Sequence, residues 1–397
     1  MEKDFFLNHL GQTNEQPFLL EVERAEGVYI YDKAGKAYLD MIAGVAVNNI
    51  GHCHPKVISA IKNQLDKHLH VMVYGEFVQD AQNNFGSTLI DVLPNELNCV
   101  YVLNSGTEAN EAAIKLAKRK TKRTEIVAFS GAYHGSTNGS LSISGNETKK
   151  QAYRPLLPDI RFLEWNNIEQ LNKITEKTAG VIIETIQGDA GVRIPSQEFM
   201  SLLRKRCHDT GALLIFDEIQ CGMGRTGKMF GFEHFSIIPD ILTLGKALGG
   251  GMPVGALVSS KDIMELFSHN PMLGHITTFG GHPVICAAAA ANLEVIKTEI
   301  DFNKVEKLGL FLENQLLVHP SIKSVRRIGL MFAFDMESSE IVSKLVEKCM
   351  KKGLISFWFL SRPDSFRLSP PLNITDQEMN LAVKIITEAL NEIKMNI

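Results

Sequence analysis

Between residues 97 and 260, short apolar runs alternate with stretches of helical periodicity. Five runs stand out, at residues 99–103, 125–129, 180–184, 212–216 and 240–244. Near-continuous apolar strands separated by helices are typical of a mostly parallel sheet covered on both faces. Because the carboxyl ends of parallel strands meet at one edge, the pattern also predicts where a functional site would lie.

The two ends of the chain show different patterns. Residues 27–40 alternate apolar and polar side chains around a Lys-Ala-Gly turn, which predicts a β-hairpin. After residue 300, helical segments alternate with apolar runs. We therefore expect an α/β protein with a large domain over residues 51–295. The N-terminal segment 1–50 and the C-terminal residues 296–397 are expected to form a smaller α/β domain.

The composition excludes several classes of function. The chain has 397 residues, of which 45% are hydrophobic and 22% charged, and its net charge of −4 provides no basic surface for nucleic acid. No stretch has the roughly 18 apolar residues required to cross a membrane, and the first residues lack the apolar core of a secretory signal. Six scattered cysteines predict a reduced, cytoplasmic protein without a metal site.

A lysine and an aspartate mark the most informative position. Lys246 follows one apolar run, and Asp217 ends the run before it, about one strand–helix–strand unit earlier. Both side chains are therefore expected to project into one crevice. Pyridoxal phosphate requires such a pair, because a lysine binds its aldehyde covalently and an acid keeps its pyridine nitrogen protonated. Together the two residues predict a catalytic pair, although each alone would be an ordinary surface charge.

A glycine-containing turn is a candidate phosphate site. The segment 104–111 follows an apolar run and opens a helical stretch. Gly106 allows the backbone to approach an anion, and the N–H groups at the start of a helix bind phosphate. Ser105 and Thr107 add hydroxyl groups. The same residues also fit a simple capped helix with Glu108 near its N terminus.

Other polar residues belong to the same predicted edge. Tyr133 follows an apolar run and could lie on a cofactor ring, or it could be a core tyrosine with a satisfied hydroxyl. His134 is its neighbour. Gln220 is placed to reach the phenolic oxygen of the cofactor, and Thr278 offers a hydroxyl beside glycines for a second phosphate contact.

Two carboxylates and an arginine complete the candidates. Glu184 ends an apolar run and Asp189 follows it shortly, which brings both carboxylates to the same edge. Arg367 could bind a substrate carboxylate through its planar fork of donors, although alone it would be read as a surface arginine.

In combination, these motifs resemble those of the class III pyridoxal-phosphate aminotransferases. The segments that carry the resemblance are residues 104–115, 133–135, 216–227 and 243–251. Residues 44–55, Gly-Val-Ala-Val-Asn-Asn-Ile-Gly-His-Cys-His-Pro, resemble the acetylornithine and ornithine branch in particular. The resemblance runs from about residue 16 to the C terminus, with the motifs in order. It is specific for the class and not for the substrate.

The resemblance implies a fold type I enzyme that uses pyridoxal 5'-phosphate. Lys246 would hold the cofactor and move a proton between substrate and cofactor carbons, while Asp217 would pair with the pyridine nitrogen. The other implied cofactor contacts are Ser105, Gly106, Thr107, Tyr133, His134 and Gln220. Thr278 would complete the phosphate site of the other subunit, which implies a homodimer or a tetramer of two such dimers.

The resemblance also implies the substrate contacts. Arg367 would bind the α-carboxylate of the amino acceptor, usually 2-oxoglutarate. The further implied contacts are Val45, Ser136, Glu184 and Asp189.

Two residues depart from the pattern of acetylornithine, ornithine and 4-aminobutyrate transaminases. Those enzymes typically have an arginine after Tyr-His-Gly that holds a carboxylate remote from the reacting amine, whereas this chain has Ser136. The acid in their Gln-Gly-Glu motif usually pairs with the arginine that corresponds to Arg367, and here it is the shorter Asp189. We expect either donors without a distal carboxylate or a replacement cation such as Arg154.

The sequence thus favours a transaminase with small-molecule substrates. It would move an amino group from an ω-amino acid, an N-acetylornithine-like donor or a diamine to a keto acid by a ping-pong mechanism. An amino-acid racemase or aminomutase would use the same lysine and aspartate without a keto acid, but Arg367 favours the transaminase. A catalytically silent scaffold is disfavoured by the intact pair.

Overall fold

The computed structural model describes residues 2–394. The strands of this part of the chain are β1 (Val22–Glu26), β2 (Tyr29–Asp32), β3 (Ala37–Asp40), β4 (Cys99–Leu103), β5 (Glu125–Phe129), β6 (Ile160–Leu163), β7 (Thr178–Glu184), β8 (Leu213–Asp217), β9 (Ile241–Leu244), β10 (Gly255–Ser259), β11 (Ser324–Ile328), β12 (Met331–Asp335), β13 (Leu354–Ile355), β14 (Phe357–Trp358) and β15 (Ser365–Leu368).

The helices alternate with these strands through most of the chain. They are α1 (Glu2–His9), α2 (Ala43–Ala46), α3 (Pro55–Leu65), α4 (Asp80–Ile90), α5 (Gly106–Thr121), α6 (Asn138–Ser142), α7 (Gln197–Thr210), α8 (Lys261–Met264), α9 (Pro283–Glu299), α10 (Phe302–Leu317), α11 (Ser339–Lys351) and α12 (Asp376–Lys394). None of the helices in residues 2–394 has the length and apolar character needed to span a membrane.

A seven-stranded sheet forms the centre, in the order β4-β10-β9-β8-β7-β5-β6. The pairs from β9 to β6 are parallel, whereas β10 runs antiparallel to both of its neighbours. The predicted α/β fold with a mostly parallel sheet is confirmed, with this one antiparallel strand as an addition.

Helices cover both faces of this sheet because successive strand residues point to opposite sides. In β5, Ile126 and Ala128 join the buried cluster that contains residues of α5. Val127 and Phe129 join the cluster on the opposite face, which contains residues of α7 and α9. The continuous apolar character of the strands follows from this double burial.

Two four-stranded sheets accompany the central one. The first has the order β1-β2-β3-β13, so the N-terminal hairpin pairs with a strand from the C-terminal part of the chain. The second has the order β11-β12-β15-β14, and residues of α10, α11 and α12 pack in the same buried cluster. The boundaries at residues 50/51 and 295/296 remain a prediction.

A buried arginine, Arg225, connects segments that are distant in sequence. Arg225 is fully buried and donates hydrogen bonds to the carbonyl oxygens of Leu330 (3.0 Å) and Pro370 (2.6 Å) and to Oδ1 of Asn49 (2.5 Å). Burial lowers the pKa of Arg225 to about 9. This side chain links the N-terminal, central and C-terminal parts of the chain through charge-assisted hydrogen bonds.

Candidate active site

The carboxyl ends of three neighbouring strands meet at one cavity. Strand pairing places Glu184 beside Asp217, and Asp217 beside Thr243. Lys246 begins a short 3-10 turn just after β9 and has a positive φ of 43°. The cavity has a volume of about 270 Å³ and is lined by Gly106, Thr107, Tyr133, His134, Gly135, Ser136, Glu184, Asp217, Ile219, Gln220 and Lys246.

Asp217 is held by three hydrogen-bond donors. Its Oδ2 accepts from Nδ2 of Asn110 at 2.8 Å and lies 2.7 Å from Nδ1 of His134. Its Oδ1 accepts from the backbone N–H of Ile219 at 3.0 Å. Asn110 is fully buried and also accepts from Oγ1 of Thr243 at 2.8 Å. These contacts fix the orientation of a buried carboxylate at the cavity wall.

Lys246 lies in surroundings that favour its neutral amine. Burial lowers the pKa of Lys246, while the negative charge of Asp217 acts in the opposite direction. A lysine with a lowered pKa supplies more of the unprotonated amine, which is the form that reacts with an aldehyde.

Glu184 holds the loop that carries the aromatic ring. Its carboxyl accepts hydrogen bonds from the backbone N–H groups of Tyr133 and Gly188, both at 2.9 Å. Burial raises the pKa of Glu184 to about 7. Gly188 has no Cβ where one would collide with the amide of Gln220. Within the described chain, Nε2 of Gln220 is buried without a hydrogen-bond partner, so a donor is left over at the cavity.

The start of α5 and the loop after Tyr133 form an anion cradle. Ser105 caps the helix by accepting from the backbone N–H of Glu108 at 3.3 Å. A Cβ on Gly106 would lie 2.7 Å from the side chain of Ile219, and a Cβ on Gly135 would collide with Thr107. The absence of these Cβ atoms lets the helix start and the loop pack closely against Ile219 and Thr107. The positive end of the helix then suits a phosphate group.

The carboxylate of Glu111 holds the residues that follow the loop of the anion cradle. Its Oε1 accepts from Oγ1 of Thr137 at 2.6 Å and from the backbone N–H groups of Gly139 (2.8 Å) and Ser140 (3.2 Å). Thr137 in turn lies 2.9 Å from Oγ1 of Thr107. The cradle, the leftover donor, the buried carboxylate and the lysine together fit pyridoxal 5'-phosphate.

Some of the sequence-predicted residues lie outside the cavity lining. The hydroxyl of Ser105 accepts the hydrogen bond that caps α5. Thr278 is exposed on a separate segment. Val45 is exposed in α2, which is a left-handed turn because all four of its residues have positive φ. Asp189 and Arg367 are buried beside the cavity without lining it.

Arg367 is a buried cation with spare hydrogen-bonding capacity. It lies in β15, is 6% exposed, and its guanidinium carbon is 5.1 Å from the centre of the Phe359 ring. Among residues 2–394, nothing accepts a hydrogen bond from its Nη2. Burial lowers the pKa of Arg367 to about 10, and Asp189 partly offsets this shift. Arg367 therefore stays positive at neutral pH.

Asp189 pairs with a lysine and not with this arginine. Its Oδ2 lies 3.0 Å from Nζ of Lys149 and accepts from Oγ of Ser361 at 2.6 Å, while its Oδ1 accepts from the backbone N–H of Leu360 at 3.2 Å. In the described residues no ion pair links Asp189 to Arg367. Arg154 is exposed and pairs with Glu147 outside the cavity.

Sequence reasoning missed Asn110 and Lys149. Asn110 lies near the predicted helix start, between Ala109 and Glu111, and its neutral polar side chain close to three alanines is the signal that it faces a specific partner. Lys149 adjoins a second lysine in a polar segment, so nothing in the sequence distinguishes it from a surface charge.

A mostly parallel sheet that brings a lysine, a carboxylate and a helix start to one cavity is typical of pyridoxal-phosphate enzymes of fold type I. The family model "Aminotransferase class-III" matches residues 10–390, and the chain therefore belongs to the class III aminotransferases. It is an enzyme whose cofactor is pyridoxal 5'-phosphate.

Individual relatives agree with this assignment. The chain is 38% identical to the acetylornithine aminotransferase of Methanocaldococcus jannaschii, over 99% of this chain and 98% of that one. It is 37% identical to the acetylornithine aminotransferase of Bacillus subtilis, over 94% and 95%. A solved ornithine aminotransferase of Toxoplasma gondii, described with partial occupancy of pyridoxal phosphate, matches with a TM-score of 0.92 at 28% identity, covering 100% of this chain and 95% of that one.

Proposed function

We propose that this aminotransferase moves an amino group from an ω-amino acid, an N-acetylornithine-like donor or a diamine to a keto acid, 2-oxoglutarate, by a ping-pong mechanism. The observation that carries the proposal is the carboxylate of Asp217, held by three donors in the same cavity as Lys246. The names of the acetylornithine aminotransferase relatives support the choice of donor.

Pyridoxal phosphate supplies an electron sink for the electron pair that a substrate carbon keeps when it loses a proton. Asp217 is proposed to hold a proton at the pyridine nitrogen, which its fixed orientation favours. Lys246 would bind the cofactor and then carry the proton through its Nζ as general base and general acid. Gly106 and Thr107 would bind the phosphate, with Ser105 positioning the helix start. Tyr133 would cover the ring and exclude water.

The remaining proposed contacts complete the site. Gln220 would donate its unpartnered Nε2 hydrogen to the phenolic oxygen, and His134 would orient Asp217. Arg367 would bind the α-carboxylate of the keto acid through its free donors. Because both substrates use Lys246 in one cavity, the first product must leave before the second substrate binds, which gives ping-pong kinetics.

We also infer a homodimer in the cytoplasm. A groove of about 980 Å³ is lined in part by Met272, which is 78% exposed. Val78, two residues after the groove residue Glu76, is 89% exposed. Exposed apolar surface of this kind favours a protein interface. Thr278 stands on the same segment as Met272 and would reach the partner's phosphate site. All six cysteines are free, which agrees with a reducing compartment.

The proposal is tested by replacing the lysine. Lys246→Ala is expected to retain the cofactor but to lose at least about 10³-fold in turnover, because both covalent binding and proton transfer disappear. The assay follows glutamate formed from 2-oxoglutarate with N-acetylornithine as donor. Lys261→Ala is the matched control, since Lys261 is exposed on the surface. Wild-type rates in Lys246→Ala would refute the assignment.

A further inference from the structure

A second cavity adjoins the one that contains Lys246. It has a volume of about 510 Å³, and Tyr133 and Ser136 line both cavities. A molecule whose amine reaches Lys246 can therefore extend past Tyr133 into this second space. The far end of a donor would meet the residues that line it.

Lys149 is the charged side chain of this second cavity. The other residues that line it, all within the described chain, are neutral. Its Nζ lies 3.0 Å from Oδ2 of Asp189, 3.5 Å from Oγ of Ser361 and 5.5 Å from the centre of the Tyr133 ring. An ammonium group has three hydrogens, so two partners leave one hydrogen for a ligand. The side chain is 30% exposed and therefore accessible.

Asp189 positions the ammonium group of Lys149. The carboxylate also accepts hydrogen bonds from the Ser361 hydroxyl and the Leu360 backbone N–H, so it is fixed independently of Lys149. A fixed carboxylate limits the positions of the ammonium group and directs it to the cavity. Arg154 cannot play this part in the observed arrangement, because its guanidinium pairs with Glu147 outside the cavity.

We propose that Lys149 binds an anionic group at the end of the amino donor remote from the transferred amine, so that the enzyme favours donors with a distal carboxylate. Ser136 lines the same cavity but offers only a hydroxyl, so the positive charge would come from Lys149. The inference rests on the proposed transaminase function. Arg367 remains available for the α-carboxylate of the keto acid, so the two cations serve different carboxylates.

The test uses two donors of similar length that differ in one group. N-acetylornithine has a carboxylate remote from its δ-amine, whereas N-acetylputrescine has a hydrogen in that place. In the holoenzyme, Lys149→Gln is expected to raise KM for N-acetylornithine about 10- to 100-fold, the usual effect of removing one partner of a charged contact. KM for N-acetylputrescine should stay within about twofold. Turnover of this second donor reports in the same sample that the variant is folded.

Two further variants separate charge from structure. Lys149→Arg keeps the positive charge and should recover most of the affinity for N-acetylornithine. Arg154→Gln is the matched control, because it removes a positive charge from the same segment outside the cavity and should change neither KM. A loss in Arg154→Gln equal to that in Lys149→Gln would overturn the assignment of the contact to Lys149.

A binding measurement distinguishes direct contact from an effect through Asp189. 2-Acetamidopentanoate is N-acetylornithine without its amine, so it can bind but not react. Calorimetry should show that Lys149→Gln binds 2-acetamidopentanoate more weakly than the wild type does, whereas its binding of N-butylacetamide, the same molecule without the carboxylate, is unchanged. If Lys149 only held Asp189 in place, Lys149→Gln would bind both molecules more weakly.

The outcomes separate the inference from the function it rests on. If the wild type converts the donors but Lys149→Gln shows equal losses for both, or no loss for either, the inference fails and the transaminase function stands. If the wild type converts neither these donors nor ornithine, 4-aminobutyrate or putrescine, the proposed function fails and the inference fails with it.

Discussion

The imidazole of His134 lies 2.7 Å from the carboxylate of Asp217, and both side chains are buried. His134 lies in the loop after β5, and Asp217 is the last residue of β8 in the same sheet. Asn110 from α5 joins them, since its Nδ2 donates to Oδ2 of Asp217 and to the carbonyl oxygen of His134, each at 2.8 Å. The carboxylate is thus oriented by side chains from two separate elements, α5 and the loop after β5, which is the support that a functional side chain needs.

Replacement of this carboxylate should remove catalysis and leave the fold intact. Asp217→Asn keeps the shape but cannot hold a proton at the pyridine nitrogen, so kcat should fall about 10²- to 10³-fold, as for the loss of one preorganised electrostatic contact. Cofactor binding is followed by absorbance and turnover by glutamate formation. Asp209→Asn, at an exposed ion pair with Lys205, is the control. A near-wild-type kcat in Asp217→Asn would contradict the proposed role.

Arg367 should act on the acceptor and not on a donor without an α-carboxylate. Arg367→Gln removes a charged fork, and KM for 2-oxoglutarate should rise about 100-fold. The reaction of the holoenzyme with putrescine alone should keep its rate, because putrescine has no carboxylate. Arg161→Gln, at a surface ion pair with Glu125, should change neither. Unchanged KM for 2-oxoglutarate would show that another residue binds the acceptor.

The anion cradle depends on a missing Cβ. Gly135→Ala would force a φ of 126° on alanine and press its Cβ against Thr107, so the affinity for pyridoxal phosphate should fall about tenfold or more. Absorbance titration of the cofactor-free protein measures this affinity. Gly35→Ala is the control, since Gly35 also has a positive φ but no atom within 4 Å of its would-be Cβ. Equal affinities in the two variants would argue against the cradle.

Glu218 should make stability depend on pH. It accepts hydrogen bonds from the backbone N–H groups of Gly231 (2.7 Å) and Phe232 (2.6 Å), and burial raises its pKa from 4.5 to about 7. The folded state therefore binds this proton more tightly than the unfolded state. As the pH rises from 4.5 to about 7, the wild type should lose on the order of 3 kcal/mol of unfolding free energy from this group.

Urea unfolding at pH 5 and pH 8 checks this prediction. In Glu218→Gln the contribution is absent, so the variant should lose less stability than the wild type between the two values. Glu176→Gln, at an exposed position, should follow the wild type. Parallel behaviour of Glu218→Gln and the wild type would show that Glu218 does not titrate in this range.

Local patterns were enough to predict much of the fold. The apolar runs 99–103 and 125–129, which predict strands, coincide with β4 and β5. These elements are buried on one or both faces, so their amino acid patterns carry the information. The pair of Lys246 and Asp217 was predictable for a related reason, since parallel strands of known spacing end at one edge.

Tertiary relationships were not predictable in the same way. The direction of β10 depends on its pairing with β4 and β9, which the five-residue segment Gly-Ala-Leu-Val-Ser does not encode. The apolar run 354–359 is divided between β13 and β14, which belong to different sheets. The partner of Asp189 is likewise decided by the fold, because Lys149 is distant in sequence and stands among ordinary polar residues.

The most direct test of the account is a single half-reaction. The purified holoenzyme is mixed with N-acetylornithine without keto acid, and the absorbance of the lysine-bound cofactor is followed. We predict rapid, stoichiometric loss of this absorbance in the wild type, its return when 2-oxoglutarate is added, and no such cycle in Lys246→Ala. Persistence of the wild-type absorbance with N-acetylornithine, ornithine, 4-aminobutyrate, lysine and putrescine would contradict the proposed amino transfer.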